Sequence, residues 1–119
     1  MKANLLHADV PGLTAPLWLR TTETVFERMR GLLGSTPLAE GEALVLDACN
    51  MVHTIGMAYP IDIVFADRHG VIRKICPAVG AMRMRGCLRA KYTVEMAAHE
   101  AQRRGWMVGM TLGFLRARA

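Results

Sequence analysis

With 119 residues, 52% apolar and 21% charged, the chain has the makings of one hydrophobic core, which excludes a disordered segment and a two-core protein. No apolar run nears the roughly 20 residues that cross a bilayer, and Asp9 and Pro11 interrupt the start where a secretion signal stays apolar, so a cytoplasmic chain is expected. The net charge of +5 is unevenly placed: residues 68–94 hold seven bases and no acid, the rest eight bases and ten acids, so one segment alone should draw anions.

Taken in order, Asn4 to Asp9 and Pro16 to Thr21 are short apolar-rich runs separated by Val10-Pro11-Gly12-Leu13, a turn signal. Leu17 and Leu19 alternate with Trp18 and Arg20, as in a strand with one buried face. The period then lengthens. Val25, Phe26, Met29, Leu32 and Leu33 form one apolar stripe of a helix from Thr22 to Leu33, with Thr21 or Thr22 as cap and Gly34 as terminator. Glu42 to Ala48 returns to strand alternation.

The stretch from Met51 to Cys76 organises the rest. Ile61, Ile63 and Phe65 point one way and Asp62, Val64 and Ala66 the other. Asp67-Arg68-His69-Gly70 is a tight reversal, with Asp at its first position and Gly at its last, so Ile61 to Cys76 is predicted as a hairpin. Pro77 to Leu88 reads as a long loop carrying Arg83 and Arg85. Lys91 to Ala97 is strand-like, with Tyr92, Val94 and Met96 opposed to Thr93 and Glu95. One helical turn fits Ala98 to Arg104, an apolar segment runs from Trp106 to Leu115, and a short tail (residues 116–119) is expected to fray.

Seven to eight short strands with one amphipathic helix near residues 22–33 predict a mainly β domain over residues 1–119, an antiparallel sandwich or barrel. Cys49, Cys76 and Cys87 do not read as a disulfide framework, although Cys76 and Cys87 could face each other across the loop.

The runs RMRGLLG, VHTIGMAYPIDIVFADRHGVI and YTVEMA, with the closing Gly105, Gly109 and Leu112, resemble domain-of-unknown-function family 192. The resemblance covers roughly residues 17–114 and implies a compact, mainly β domain of unassigned role. The chain departs from the family pattern at Ala98-His99, usually Ala-Gly, and at Gly109-Met110, usually Gly-Asp.

His53 and Thr54 with Asp62 are the sharpest polar constellation. A His held by a carboxylate serves as general base or binds an anion or a metal. Alternatively, all three satisfy buried backbone groups around the turn before the strand. No nucleophile with a partner base is evident, which favours the second account. Cys49-x-x-x-His53 lacks the second ligand pair of a zinc site, so no metal is expected. Gly31-Leu32-Leu33-Gly34 lacks the Lys and Ser/Thr of a phosphate loop, and no cofactor is expected. One aromatic, Tyr92, within the basic segment argues against nucleic acid.

The first expectation is therefore a small non-catalytic binding domain, holding an anionic or polar ligand through His53, Thr54, Asp62, Arg83 and Arg85. A small hydrolase or transferase using His53 and Asp62 is the alternative. A third is an accessory protein whose Met-rich surface joins a protein partner.

Overall fold

A computed structural model describes residues 2–6, 16–21, 38–55 and 57–116 of the chain. Among them run eight strands: β1 (Lys2–Leu6), β2 (Leu17–Thr21), β3 (Glu42–Asp47), β4 (Met51–His53), β5 (Ile61–Ala66), β6 (Ile72–Val79), β7 (Met84–Gly86) and β8 (Tyr92–Ala97). Two helices of four residues, α1 (Glu100–Arg103) and α2 (Gly113–Arg116), follow them. The helix expected over residues 22–33 lies outside the described residues, as do residues 117–119 of the tail.

Six strands form one sheet in the order β1-β2-β3-β8-β5-β6, and β4 pairs with β7 as a separate ribbon. Neither closes into a barrel, and the mainly β fold is sandwich-like. All pairs are antiparallel except β2 with β3, which run parallel.

The central sheet is apolar on both faces because its inner strands alternate two buried sets. Leu17, Leu19, Val45, Val64, Val94 and Met96 meet Ala101, Trp106, Leu112 and Leu115 from the C-terminal segment on one side. Leu44, Ile61, Ile63, Phe65 and Cys76 pack on the other, where Val52 of β4 and Cys87 after β7 join them. Burial of this kind stabilises at roughly 25 cal/mol per Å² of apolar surface. The ribbon is thus a second layer over one face.

The hairpin predicted for Ile61 to Cys76 is β5 and β6, and β6 continues to Val79. Gly70 donates its N–H to the Asp67 carbonyl at 2.9 Å, while Asp67 Oδ1 accepts from His69 N at 2.8 Å and Val71 N at 3.1 Å. The loop expected over residues 77–88 is corrected at both ends. Its start is strand with a register shift, which accommodates the N–H that Pro77 lacks. Its end is β7, a strand whose three residues are too few to show a period.

His99, where the family usually has glycine, takes φ 71°. That left-handed conformation costs a non-glycine residue about 1–2 kcal/mol, against the 0.5–1 kcal/mol that glycine's extra freedom costs. His99→Gly is expected to stabilise the fold by about 0.5 kcal/mol, read as a small rise in urea midpoint with an unchanged m-value.

Candidate functional site

The structure separates the residues that the sequence grouped. Asp62 is fully buried and faces the C-terminal segment. Its Oδ1 accepts from Ala78 N at 2.8 Å and His99 N at 3.0 Å, and its Oδ2 from Ala101 N at 2.9 Å. Two of those donors, Ala78 (φ 46°) and His99, are left-handed residues whose N–H groups no strand ladder takes up. Asp62 therefore ties the β5–β6 irregularity to the start of α1, and does not pin the turn that precedes it.

His53 is exposed on β4, over the opposite face of the sheet, and its Nδ1 accepts from Ile55 N at 3.3 Å. The two groups of the expected His–Asp pair stand on opposite sides of the central sheet. Thr54 stays with His53 but is buried. Its hydroxyl donates to Gly80 O at 2.7 Å and accepts from Arg83 N at 2.8 Å, locking the loop between β6 and β7. Arg83 is exposed beside it, and Arg85, opposite Val52 in the ribbon, turns its NH1 onto Met84 O at 2.8 Å. Four of the five expected residues thus share the ribbon and its flank, without Asp62.

A different set of cations converges elsewhere. Asp67, Arg68 and His69 from the β5–β6 turn, Arg73 from β6, and Arg89 and Lys91 from the loop before β8 line an open pocket of about 420 Å³. The turn approaches that loop because Lys91 N donates to Ala66 O at 2.9 Å. Asp67, the one acid, is already committed: Arg73 Nε donates to its Oδ2 at 2.8 Å and the NH2 lies 2.7 Å away. Burial works to raise this carboxyl, but the N–H groups of Val71 and His69 and the Arg73 guanidinium outweigh it and hold it below the usual range.

The other cations of the pocket face no acid in it. Arg68 Nε donates to His69 Nε2 at 3.2 Å, which leaves its terminal nitrogens available, and Lys91 Nζ lies 5.3 Å from the Tyr92 ring centroid. Of these residues the sequence located only the basic segment, because their convergence depends on tertiary proximity.

Two buried acids outside the pocket differ sharply. Glu100 accepts from Arg104 Nε at 2.7 Å, Arg103 NH2 at 3.2 Å and Gly41 N at 3.2 Å. Burial would raise it, yet these donors hold it below its ordinary value. Arg104 reaches on to Pro16 O at 2.8 Å, so this network fastens α1 to the segment before β2. Glu95 has no such company. It is 5% exposed between Leu44 and Ile63 on the face that the ribbon covers, and burial pushes its carboxyl up to about 7.

Cys49, Cys76 and Cys87 are free thiols. Among the described residues no three His, Cys, Asp or Glu side chains gather as for a metal, and no helix is long and apolar enough to cross a membrane.

Comparison with known proteins follows the fold closely. The model of family DUF192, described as Uncharacterized ACR, matches residues 9–114. No curated protein matches the chain. A candidate transcription regulator from Sinorhizobium meliloti 1021 superposes with a TM-score of 0.73 at 18% identity, over 92% of this chain and 88% of that one. A protein of unknown function from Novosphingobium aromaticivorans DSM 12444 gives 0.72 at 15% identity, over 93% and 91%. At such identities the likeness is one of fold.

Proposed function

The chain belongs to domain-of-unknown-function family 192, and within it we propose a small non-catalytic binding domain whose ligand is an anion held in the basic pocket. The observation that carries this reading is the composition of the pocket wall: Arg68, Arg73, Arg89 and Lys91 against one carboxylate, which Arg73 and backbone N–H groups already satisfy. An entering anion would meet several cations at once, and each charge-assisted hydrogen bond contributes about 1.5–3 kcal/mol. The open mouth suits a small oxyanion or a phosphorylated group on a larger molecule. The position of Asp62 supports binding over hydrolysis, since both its oxygens are occupied by backbone and the sheet separates it from His53.

Inorganic phosphate and pyrophosphate are the probes. Titration followed by calorimetry or amide chemical shifts should show binding that weakens with salt. The double variant Arg89→Ala/Lys91→Ala should lose affinity by about tenfold or more, equal to about 1.4 kcal/mol or more. Arg83→Ala/Arg85→Ala, which thins the general positive field, should elute earlier from a cation-exchange resin yet keep its phosphate affinity within about twofold. Failure of both anions to bind at millimolar concentration, or equal affinity in wild type and the Arg89/Lys91 variant, defeats the proposal.

A further inference from the structure

Exposed apolar side chains are ordinary when scattered, and informative when gathered on one face. Of the eight large apolar residues exposed among the described ones, five belong to the β4–β7 ribbon or its flanks: Met51, Ile55, Met82, Met84 and Leu88. Pairing geometry explains their grouping. Val52 and Arg85 oppose each other and share a face, and Val52 packs against the core. Their neighbours Met51, His53 and Met84 consequently look outward.

Ile55 and Met82 extend the same strip past the ends of the strands, where Met82 N donates to Thr54 O at 3.3 Å. Met82 holds φ at 62°, a conformation that favours glycine, while its side chain is two-thirds exposed. Gly86 opposes Met51, and a Cβ there would lie 3.5 Å from Met51 Cε, so the methionine crosses a gap that glycine leaves. Leu88, 95% exposed, follows at the far end.

Charge sets the kind of occupant. Arg85 lies in β7 and Arg83 just before it, and Lys74 Nζ reaches from β6 to Gly86 O at 2.9 Å. Residues 68–94 offer no acid to offset them. The carbonyls that the ribbon's own ladder leaves over are taken by side chains, Met84 O by Arg85 NH1 at 2.8 Å and Gly86 O by Lys74, so the cations lie along β7 beside the apolar row. A segment that lays apolar side chains on the strip and carries carboxylates at its border meets both features together.

We propose that the outer face of the β4–β7 ribbon, where Met51 and Met84 lie with Met82 beside them and where Arg85 and Lys74 border the β7 strand at its carbonyls, docks a segment of a partner protein carrying consecutive apolar side chains flanked by carboxylates. None of Met51, Met82, Met84, Arg85 and Lys74 lines the pocket of Arg68, Arg73, Arg89 and Lys91, so neither proposal depends on the other. Methionines fit this docking role well, because their flexible thioethers mould to a range of apolar partners.

Three labelled peptides test the assignment by fluorescence anisotropy: Glu-Glu-Leu-Leu-Leu-Glu-Glu, its Lys-flanked counterpart, and its Ser-centred counterpart. The Glu-flanked, Leu-centred peptide should bind about tenfold more tightly than either of the others. Met82→Ser/Met84→Ser should lose that binding by a similar factor with an unchanged melting temperature, and Met51→Ser on the other strand gives an independent reading. Equal affinity for the Leu- and Ser-centred peptides overturns the proposal, as does undiminished binding in the methionine variants. A concentration-dependent dimer abolished by Met82→Ser/Met84→Ser would give the strip to a second copy instead. Capture by phosphatidylglycerol vesicles in the absence of peptide binding would give it to a membrane surface.

Discussion

Replacing Asp62 by Asn should lower the free energy of unfolding by about 3 kcal/mol, with a fall in melting temperature of roughly 10 °C. The carboxylate accepts from Ala78, His99 and Ala101 on two oxygens at 2.8, 3.0 and 2.9 Å in a fully buried setting. Asn keeps one acceptor oxygen and brings an NH2 group that must face a backbone N–H. At least one buried donor is then orphaned, at about 1–3 kcal/mol, and a charged acceptor has become a neutral one. Asp62→Ala orphans all three donors and should be worse. Thermal melts monitored by circular dichroism decide the matter, and an Asp62→Asn protein melting with the wild type would show that the three N–H groups find water.

The second large effect concerns pH. The Glu95 carboxyl titrates near 7 in the folded chain, against an ordinary 4.5, because burial disfavours the anion. Leu44 on β3 and Ile63 on β5 flank it, and Thr93 shares its face but spends its hydroxyl on Cys49 O at 2.9 Å. Between pH 4.5 and 7 the folded state holds a proton that the unfolded state has released, so stability falls as pH rises. The stabilisation is complete below the unfolded value and gone above the folded one, a change of about 3 kcal/mol.

Glu95→Gln keeps the shape and removes the charge. Its stability advantage over wild type should be near zero at pH 4 and grow to about 3 kcal/mol at pH 8. Asp67 and Glu100, both held below their ordinary values, act at the acid end and are common to the two proteins, so the difference isolates Glu95. Urea titrations across that range supply the measurement. A difference that stays flat with pH would mean that the carboxyl is solvated.

How much of this was legible in the chain follows from where each signal resides. The β5–β6 hairpin was readable because Asp67, Gly70 and the alternation of Ile61, Ile63 and Phe65 are local features. The same holds for β8, whose two faces match the predicted Tyr92-Val94-Met96 and Thr93-Glu95 sets. The β4–β7 ribbon was not readable. Each of its strands has three residues, and their partners are some thirty positions away. Asp62 and His53 looked adjacent because only eight residues separate them, yet the sheet lies between. The unequal spread of charge does place the cations of the pocket wall in one segment of the chain. That Arg89 and Lys91 line the pocket, and Arg83 and Arg85 do not, depends on the turn at 67–70 folding back beside the loop before β8.

The position of β8 reaches beyond the native state. During synthesis from the N-terminus, β3 and β5 leave the ribosome before the strand that must lie between them. Their facing edges keep open hydrogen-bonding groups until residues 92–97 arrive, so the nascent chain carries two incomplete half-sheets that invite pairing with neighbours. Closure of the sheet by its last strand makes folding late, non-local and dependent on protection of those edges along the way.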